Sequence, residues 1–435
     1  MFSIFYDNVI KMAEKYDLYS HKNIVVRVFR EHWARFKEFS PEHITGDIEE
    51  NVEKMLGCGL LENGFFEYMC LSCLNTHKVG FTCKSRFCLR CSKVYIDRWL
   101  DRMKKSIFKW VEHRHVILTV PGSLWEYFHD PSLLDALAEV GVRTVKEVAS
   151  LGSHKAEIEI GIIEVIQTAG RASTWNPHLH LLVTEGRLDK KGSWHNGIYL
   201  EYETLRKKWM YNLLTMLKEK MASRRDVLEK IEEVYQKRKE KGFIVRAKKE
   251  RIRKKDIMGY LIKYVASPPI ALSRIEEYDG EKVSYWYREH PTDKKVWVTV
   301  SAFEFIRRMI QHIMPKQFRM IRHSGLYARN KVGKVRKILT SLFENVKELT
   351  REFEQMAKRV ASLKWRERIK KSFGKDPLIC PKCGDEMVLY KIWHPEYGVI
   401  YDYLEHLKKD SLAEEIKNEK EQEKTAAIKQ LSFSF

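Results

Sequence analysis

Asn176-Pro177-His178-Leu179-His180-Leu181-Leu182-Val183 is the stretch on which the fold and its chemistry turn. Pro177 marks the start of a strand, and the leucines and Val183 make that strand largely buried. Residues i and i+2 of a strand point to one face, so His178 and His180 can grip one cation between them. A His-x-His pair by itself is more often an ordinary core or surface feature. Two buried imidazoles side by side need a reason, however. Neutral ring nitrogens binding Mg²⁺ or Mn²⁺ would supply it, with a phosphate and water filling the other positions. A third protein ligand is expected from a neighbouring strand or helix. Gln167, near the end of the preceding strand, is the candidate, with Glu164 behind it.

Outward from that strand the pattern continues. Val116–Val120, closed by Pro121-Gly122, predicts a buried strand and a turn. Residues 131–151 predict an amphipathic helix, and Ile158–Ile166 a β-branched strand ended by Ala169-Gly170-Arg171. Strand, helix, strand, turn, strand is the order of a small α/β sheet domain. Residues 201–240 form a long charged helical stretch. The basic run Arg246–Lys255 then leads into Gly259-Tyr260-Leu261-Ile262-Lys263-Tyr264-Val265-Ala266. Tyr260 and Tyr264 are one helical turn apart and share a face. An aromatic packing stripe would show the same spacing. A phenol, with a pKa of about 10, is a weak nucleophile unless its target is activated. A metal-bound phosphodiester is such a target, and Lys263 could screen its charge. Attack would leave a 5′-phosphotyrosine and a free 3′-hydroxyl, and no phosphate-binding loop for ATP appears. Val283–Tyr287 and Val296–Val300 predict a hairpin, and helical patterns dominate from residue 302 on.

The eight cysteines fall in two places. Cys70-x2-Cys73 and Cys88-x2-Cys91 have the two-knuckle spacing of a zinc ribbon, so these four are expected around one structural Zn²⁺. Cys83 could replace one of them, or serve a second ion with Cys58. Cys380 and Cys383 make half a ribbon: either a separate C-terminal knuckle or a site completed by leftover N-terminal thiols. Lys84 and Arg86, interleaved with Phe81 and Phe87, suit contact with DNA.

The chain has 435 residues, a formal net charge of +20 and a pI near 9.4. Such a surplus of Lys and Arg favours a polyanionic partner, because neutralising phosphates releases counterions. No apolar run is long enough to span a bilayer, and the N-terminus lacks the order of a secretion signal. A cytoplasmic, nucleoid-associated protein without a membrane partner is expected; oligomeric state is not legible. Three regions are expected. Residues 1–112 form a helical, zinc-binding N-terminal domain. Residues 113–330 form the catalytic domain, with a charged helical insertion at 201–255. Residues 331–435 form a helical C-terminal region with the Cys-x2-Cys knuckle.

Taken together, five segments resemble the two-tyrosine, rolling-circle insertion-sequence transposases of the HUH endonuclease superfamily. They are Thr82–Cys91, His115–Pro121, Trp175–Val183, Tyr260–Tyr264 and the pair Phe305–Pro315 with Phe318–Gly325. The resemblance implies an α+β fold: an antiparallel sheet flanked by helices, with an N-terminal zinc-ribbon module and a mainly helical C-terminal region. It implies that His178 and His180 are metal ligands and that Tyr260 and Tyr264 are nucleophiles. Many relatives carry histidine where this chain has Gln167, and Leu89 stands where a knuckle proline is usual. Arg307 and Arg322 are expected at phosphates on charge alone. The expected partners are single-stranded DNA at mobile-element termini and target DNA. A plasmid or phage replication initiator, a relaxase, or a non-catalytic zinc-dependent DNA-binding protein are the alternatives.

Overall fold

The computed structural model describes residues 23–108, 111–151, 158–247, 269–289, 292–343, 366–367, 369–370, 374 and 376–408. It begins with α1 (Ile24–Phe39) and α2 (Gly46–Leu56). Asn23 caps α1, its side chain accepting from the backbone N–H of Val25 at 3.0 Å, and Thr45 caps α2 in the same manner. The near-helical spacing of Val25, Val28, Phe29, Trp33 and Phe36 places all five on the buried face of α1. A hairpin of β1 (Phe65–Cys70) and β2 (Thr76–Gly80) follows, then the basic helix α3 (Leu89–Ser106).

The middle of the chain holds β3 (His113–Thr119), α4 (Pro131–Leu151), β4 (Ile158–Ala169), β5 (Trp175–Asp189) and the short β6 (Trp194–Asn196). The helices α5 (Tyr202–Lys220) and α6 (Arg225–Arg238) and the two-residue β7 (Val245–Arg246) complete it. Pro131 starts α4, and Asp130 accepts from the N–H of Ser132 at 2.8 Å, so an acidic cap and a helix-initiating proline fix its first turn.

Beyond lie β8 (Ile275–Tyr278), β9 (Lys282–Arg288), β10 (Lys295–Ser301), α7 (Ala302–Ile310), β11 (Ile321–Gly325), α8 (Val332–Phe343), β12 (Met387–His394) and β13 (Gly398–Asp402). The expected 283–287 and 296–300 hairpin is β9–β10, extended by β8 into a three-stranded sheet. Among its described residues the C-terminal region is not mainly helical, contrary to expectation. β12 and β13 join the N-terminal hairpin in a four-stranded sheet ordered β13-β12-β1-β2, with Phe65 opposite Trp393 and Cys70 opposite Met387. Met387–His394 is rich in Val, Leu, Tyr, Ile and Trp and suits a pleated surface.

The main sheet runs β11-β4-β5-β3-β7, with β6 on the edge of β5, and each of these pairs is antiparallel. Its rear face, carrying Leu118, Ile162, Ile166, Leu179, Leu181 and Val183, packs in one core with Leu137 of α4, Trp209 of α5 and Ile231 of α6. Its front face is covered at one end by Trp99 and Met103 of α3 and Leu339 of α8, which meet Ile163 and Leu182. The histidines lie further along that front face. A third core joins α1 and α2 to α7 and the three-stranded sheet. No described helix is long and apolar enough to cross a membrane.

Candidate active site

Register builds the site. On β5, His178 stands opposite Thr119 of β3 and Gln167 of β4, while His180 stands opposite Ile117 and Val165. The strand's alternation turns Leu179 and Leu181 into the rear core and both imidazoles to the front. The two rings are 4.9 Å apart. His178 Nδ1 donates to the carbonyl of Asn176 at 2.7 Å, which leaves Nε2 with its lone pair available. His180 Nε2 lies 2.7 Å from Gln167 Oε1. That separation suits a hydrogen bond, and it is near the ~3 Å between adjacent ligands of an octahedral ion with bonds of ~2.1 Å. Burial lowers the pKa of both imidazoles and holds them in the neutral form that ligates metals.

A third imidazole, without an expected role, completes the group. His115 of β3 places Nε2 2.9 Å from His180 Nδ1, with the rings stacked at 5.1 Å. Burial, aided by His178, pushes it down to about 3. Its signal in the sequence was the alternation His113-Arg114-His115, the same one that marks His178 and His180. Glu164 does not stand behind Gln167. It lies on the rear side, lining a cavity of about 1380 Å³ between α4 and the segment 317–324, because strand residues an odd number of positions apart point to opposite faces.

The cysteines form two quartets, and the four expected around one ion are parted. Cys58, Cys83, Cys88 and Cys91 bring their thiols together, as do Cys70, Cys73, Cys380 and Cys383, each set within 4.8 Å. The hairpin explains the division. Cys58 and Cys83 lie beyond its Phe65–Gly80 end, whereas Cys70 and Cys73 lie at its turn. About five strand residues at ~3.3 Å each separate the two ends by roughly 17 Å, too far for one ion. Pairing of β12 with β1 then delivers Cys380 and Cys383 to the turn. N-terminal thiols do complete that pair, but they are Cys70 and Cys73 of the expected ribbon and not the leftover Cys58 and Cys83. Sulfur separations of 3.6 Å for Cys58–Cys91 and Cys83–Cys91, and of 3.4 and 3.6 Å for Cys70–Cys383 and Cys73–Cys380, approach the ~3.8 Å edge of a zinc–thiolate tetrahedron. Backbone N–H donation, first from Cys383, holds the Cys380 thiol at about 6. Among the described residues these quartets are the only sets of three or more His, Cys, Asp or Glu whose donor atoms all lie within 4.8 Å of one another. The histidine site stands apart because its third donor is an amide.

Tyr260, Lys263 and Tyr264 lie outside the described residues. The chain enters their segment from β7, whose Arg246 pairs with Ile117, and emerges at Pro269, whose carbonyl accepts from Ser173 Oγ at 2.9 Å. Both anchor points flank the histidine end of the sheet. Lys84 and Arg86 are exposed beside the first quartet, with Arg86 over the Tyr95 ring at 5.5 Å. Arg307 is paired with Glu304 at 2.8 Å, and Arg322 with Asp135.

A family model described as "Transposase zinc-binding domain" matches residues 28–120, and one described as "Putative transposase" matches residues 161–336. The transposase for insertion sequence element IS801 of Pseudomonas savastanoi pv. phaseolicola is 30% identical over 379 residues, covering 82% of this chain and 86% of that relative. The "Putative transposase y4qJ" of Sinorhizobium fredii (strain NBRC 101917 / NGR234) is 24% identical over 344 residues, 72% and 81% of the two chains. No solved structure matches the chain.

Proposed function

Since the chain belongs to the IS91/IS801 family of two-tyrosine transposases with an N-terminal zinc-binding domain, we propose that it nicks and rejoins single-stranded DNA through tyrosine attack in rolling-circle transposition. The observation that carries this reading is the convergence of His178, His180 and Gln167 on one face of an antiparallel sheet, with both ends of the tyrosine segment anchored beside them. Membership in the family implies DNA binding, and the cysteine quartets suggest Zn²⁺.

His178 Nε2, His180 Nε2 and the Gln167 amide oxygen would hold Mg²⁺ or Mn²⁺. When bound, the cation makes a phosphodiester more electrophilic. The chain's own groups do the rest. His115 orients His180 through its Nδ1, and the Asn176 carbonyl fixes the tautomer of His178. The phenol oxygen of Tyr260 or Tyr264 bonds to phosphorus as the bond to the 3′ oxygen breaks. The phenol's proton leaves, and the 3′ oxygen takes up a proton to become a hydroxyl. The 5′-phosphotyrosine conserves the phosphodiester energy, so reversal by an incoming 3′-hydroxyl needs no ATP. Two phenols allow a second strand to be captured before the first is released. The zinc quartets play a structural part, since four thiolates leave no open coordination position.

The test is incubation of the protein with a fluorescent single-stranded element-terminus oligonucleotide and Mn²⁺. A protein–DNA adduct that survives denaturant should form, and it should vanish in the Tyr260→Phe/Tyr264→Phe double variant and fall sharply in His178→Ala. No adduct with the true terminus would sink the proposal.

A further inference from the structure

The three-stranded sheet β8–β10 has one committed face and one open face. Ile275, Tyr278, Val283 and Tyr285 are buried against α1 and α7. On the other face, Trp286 of β9 stands opposite Trp297 of β10, and Trp297 is 58% exposed. Trp286 is half-buried, so Trp297 is the large ring that this face leaves in solvent. These two are set among cations. Lys295 Nζ lies 4.4 Å from the Trp286 ring centroid and 6.0 Å from that of Trp297, and the Arg274 guanidinium lies 6.0 Å from Trp286. Lys282 is exposed at the far end of the same face, opposite Ser301. The floor between is polar, with Ser284 and Thr299 hydroxyls 2.8 Å apart. The acids present are engaged in part: Glu276 accepts from Trp297 Nε1 at 3.0 Å, and Asp293 pairs with Arg288 at 2.9 Å, while Glu277 is exposed.

The sheet is fixed to the candidate active site. Tyr285 donates from its hydroxyl to the carbonyl of Ala172 at 2.9 Å, and Arg171 donates to the carbonyl of Arg288 at 2.7 Å. Both Arg171 and Ala172 belong to the β4–β5 turn, whose two arms carry Gln167 and His178.

We propose that the open face of β8–β10 is a stacking platform for single-stranded DNA, with Trp297 taking an unpaired base on its ring face, the half-buried Trp286 bordering that seat beneath Lys295, and Lys295 and Lys282 meeting the phosphates. The platform rests on the strand-cleavage function proposed above and adds a seat for the strand next to the site of cutting. Flat rings on a pleated face suit unpaired bases, whose π-faces are open, whereas a duplex keeps its bases stacked on each other. Alternating rings and cations match a polyanion bearing aromatic groups better than an apolar protein surface.

The probe is fluorescein-labelled oligo(dT), titrated by anisotropy with the full chain over a salt series. Trp297→Ala should weaken binding roughly ten- to a hundred-fold and leave the slope against log salt unchanged, because stacking releases no counterions. Trp297→Phe should bind close to wild type, and Lys295→Ala should flatten the salt slope. Duplex DNA of equal length should be little affected by Trp297→Ala. Zinc content and circular dichroism confirm the fold; should Trp286→Ala fail to fold, the exposed Trp297 carries the test. Wild-type affinity in Trp297→Ala, or equal loss for single and double strands, overturns the platform. A wild-type protein that forms the terminus adduct but ignores oligo(dT) overturns the platform and leaves strand cleavage standing. Absence of both binding and adduct removes the underlying function as well.

Discussion

Glu164 is 2% exposed on the rear of the sheet, and its Oε2 is buried with no hydrogen-bond partner among the described residues. Burial pushes its carboxyl up to about 8, against the weaker opposing pull of Arg322, whose Nε is 3.9 Å away. From an unfolded value of 4.5 to that folded value, the native state keeps a proton that the unfolded chain has released. Stability therefore falls as pH rises through this window, by about 1.4 kcal/mol for each pH unit at most. Glu164→Gln removes the ionisation. Its melting temperature should match wild type near pH 5 and exceed it at pH 8, by thermal denaturation at the two pH values; equal differences at both would refute the assignment. On the front face, His115 is the residue to change. His115→Ala should weaken Mn²⁺ binding roughly ten- to a hundred-fold without altering zinc content, as read by electron paramagnetic resonance titration, because a ligand's outer hydrogen bond holds its orientation. Unchanged Mn²⁺ affinity would make the 2.9 Å contact with His180 a packing detail.

At the scale of elements, the helix α4 comes close to β5 through Gly141. A Cβ built there would lie 2.3 Å from Leu179 Cδ1, the side chain between the two site histidines. Gly141→Val should cost about 1–3 kcal/mol by urea denaturation, since overpacking pushes on the strand that carries the site. Gly325 is more constrained: its φ is +60°, and a Cβ would collide with the backbone oxygen of Ile160, so only glycine lets β11 close against β4. Much of this layer was legible. The limits 131–151 of α4, the buried run of β4 and the β9–β10 hairpin follow from periodicity, which depends on local burial alone. That His178, His180 and Gln167 share one face was legible for the same reason: strand parity and a turn between neighbours fix who faces whom. His115 was not, because its meeting with His180 depends on which strand lies beside β5. Nor was the division of the cysteines, which requires knowing that a hairpin holds Cys73 away from Cys88 and that β12 returns to β1. Sequence spacing counts residues, and long-range pairing decides distances.

For the whole molecule, charge and the two cysteine quartets set the behaviour. With a net charge of +20, affinity for DNA should fall steeply and linearly on a log–log plot against salt. The second quartet joins residues 307 and 313 positions apart. Cys380→Ser/Cys383→Ser should lower bound zinc from two ions per chain to one, by elemental analysis, and expose β12–β13 to early proteolysis. Retention of both ions would mean that the second quartet is not a metal site. The same clasp constrains biogenesis. A translating ribosome must deliver residue 383 before the turn of β1–β2 acquires its full ligand set. Until then Cys70 and Cys73 lack two of their four partners and lie beside an unpaired strand edge. A transcript broken or frameshifted upstream of that codon yields a polypeptide whose earliest-made sheet can never be sealed, so intactness of the message is written into the start of the fold.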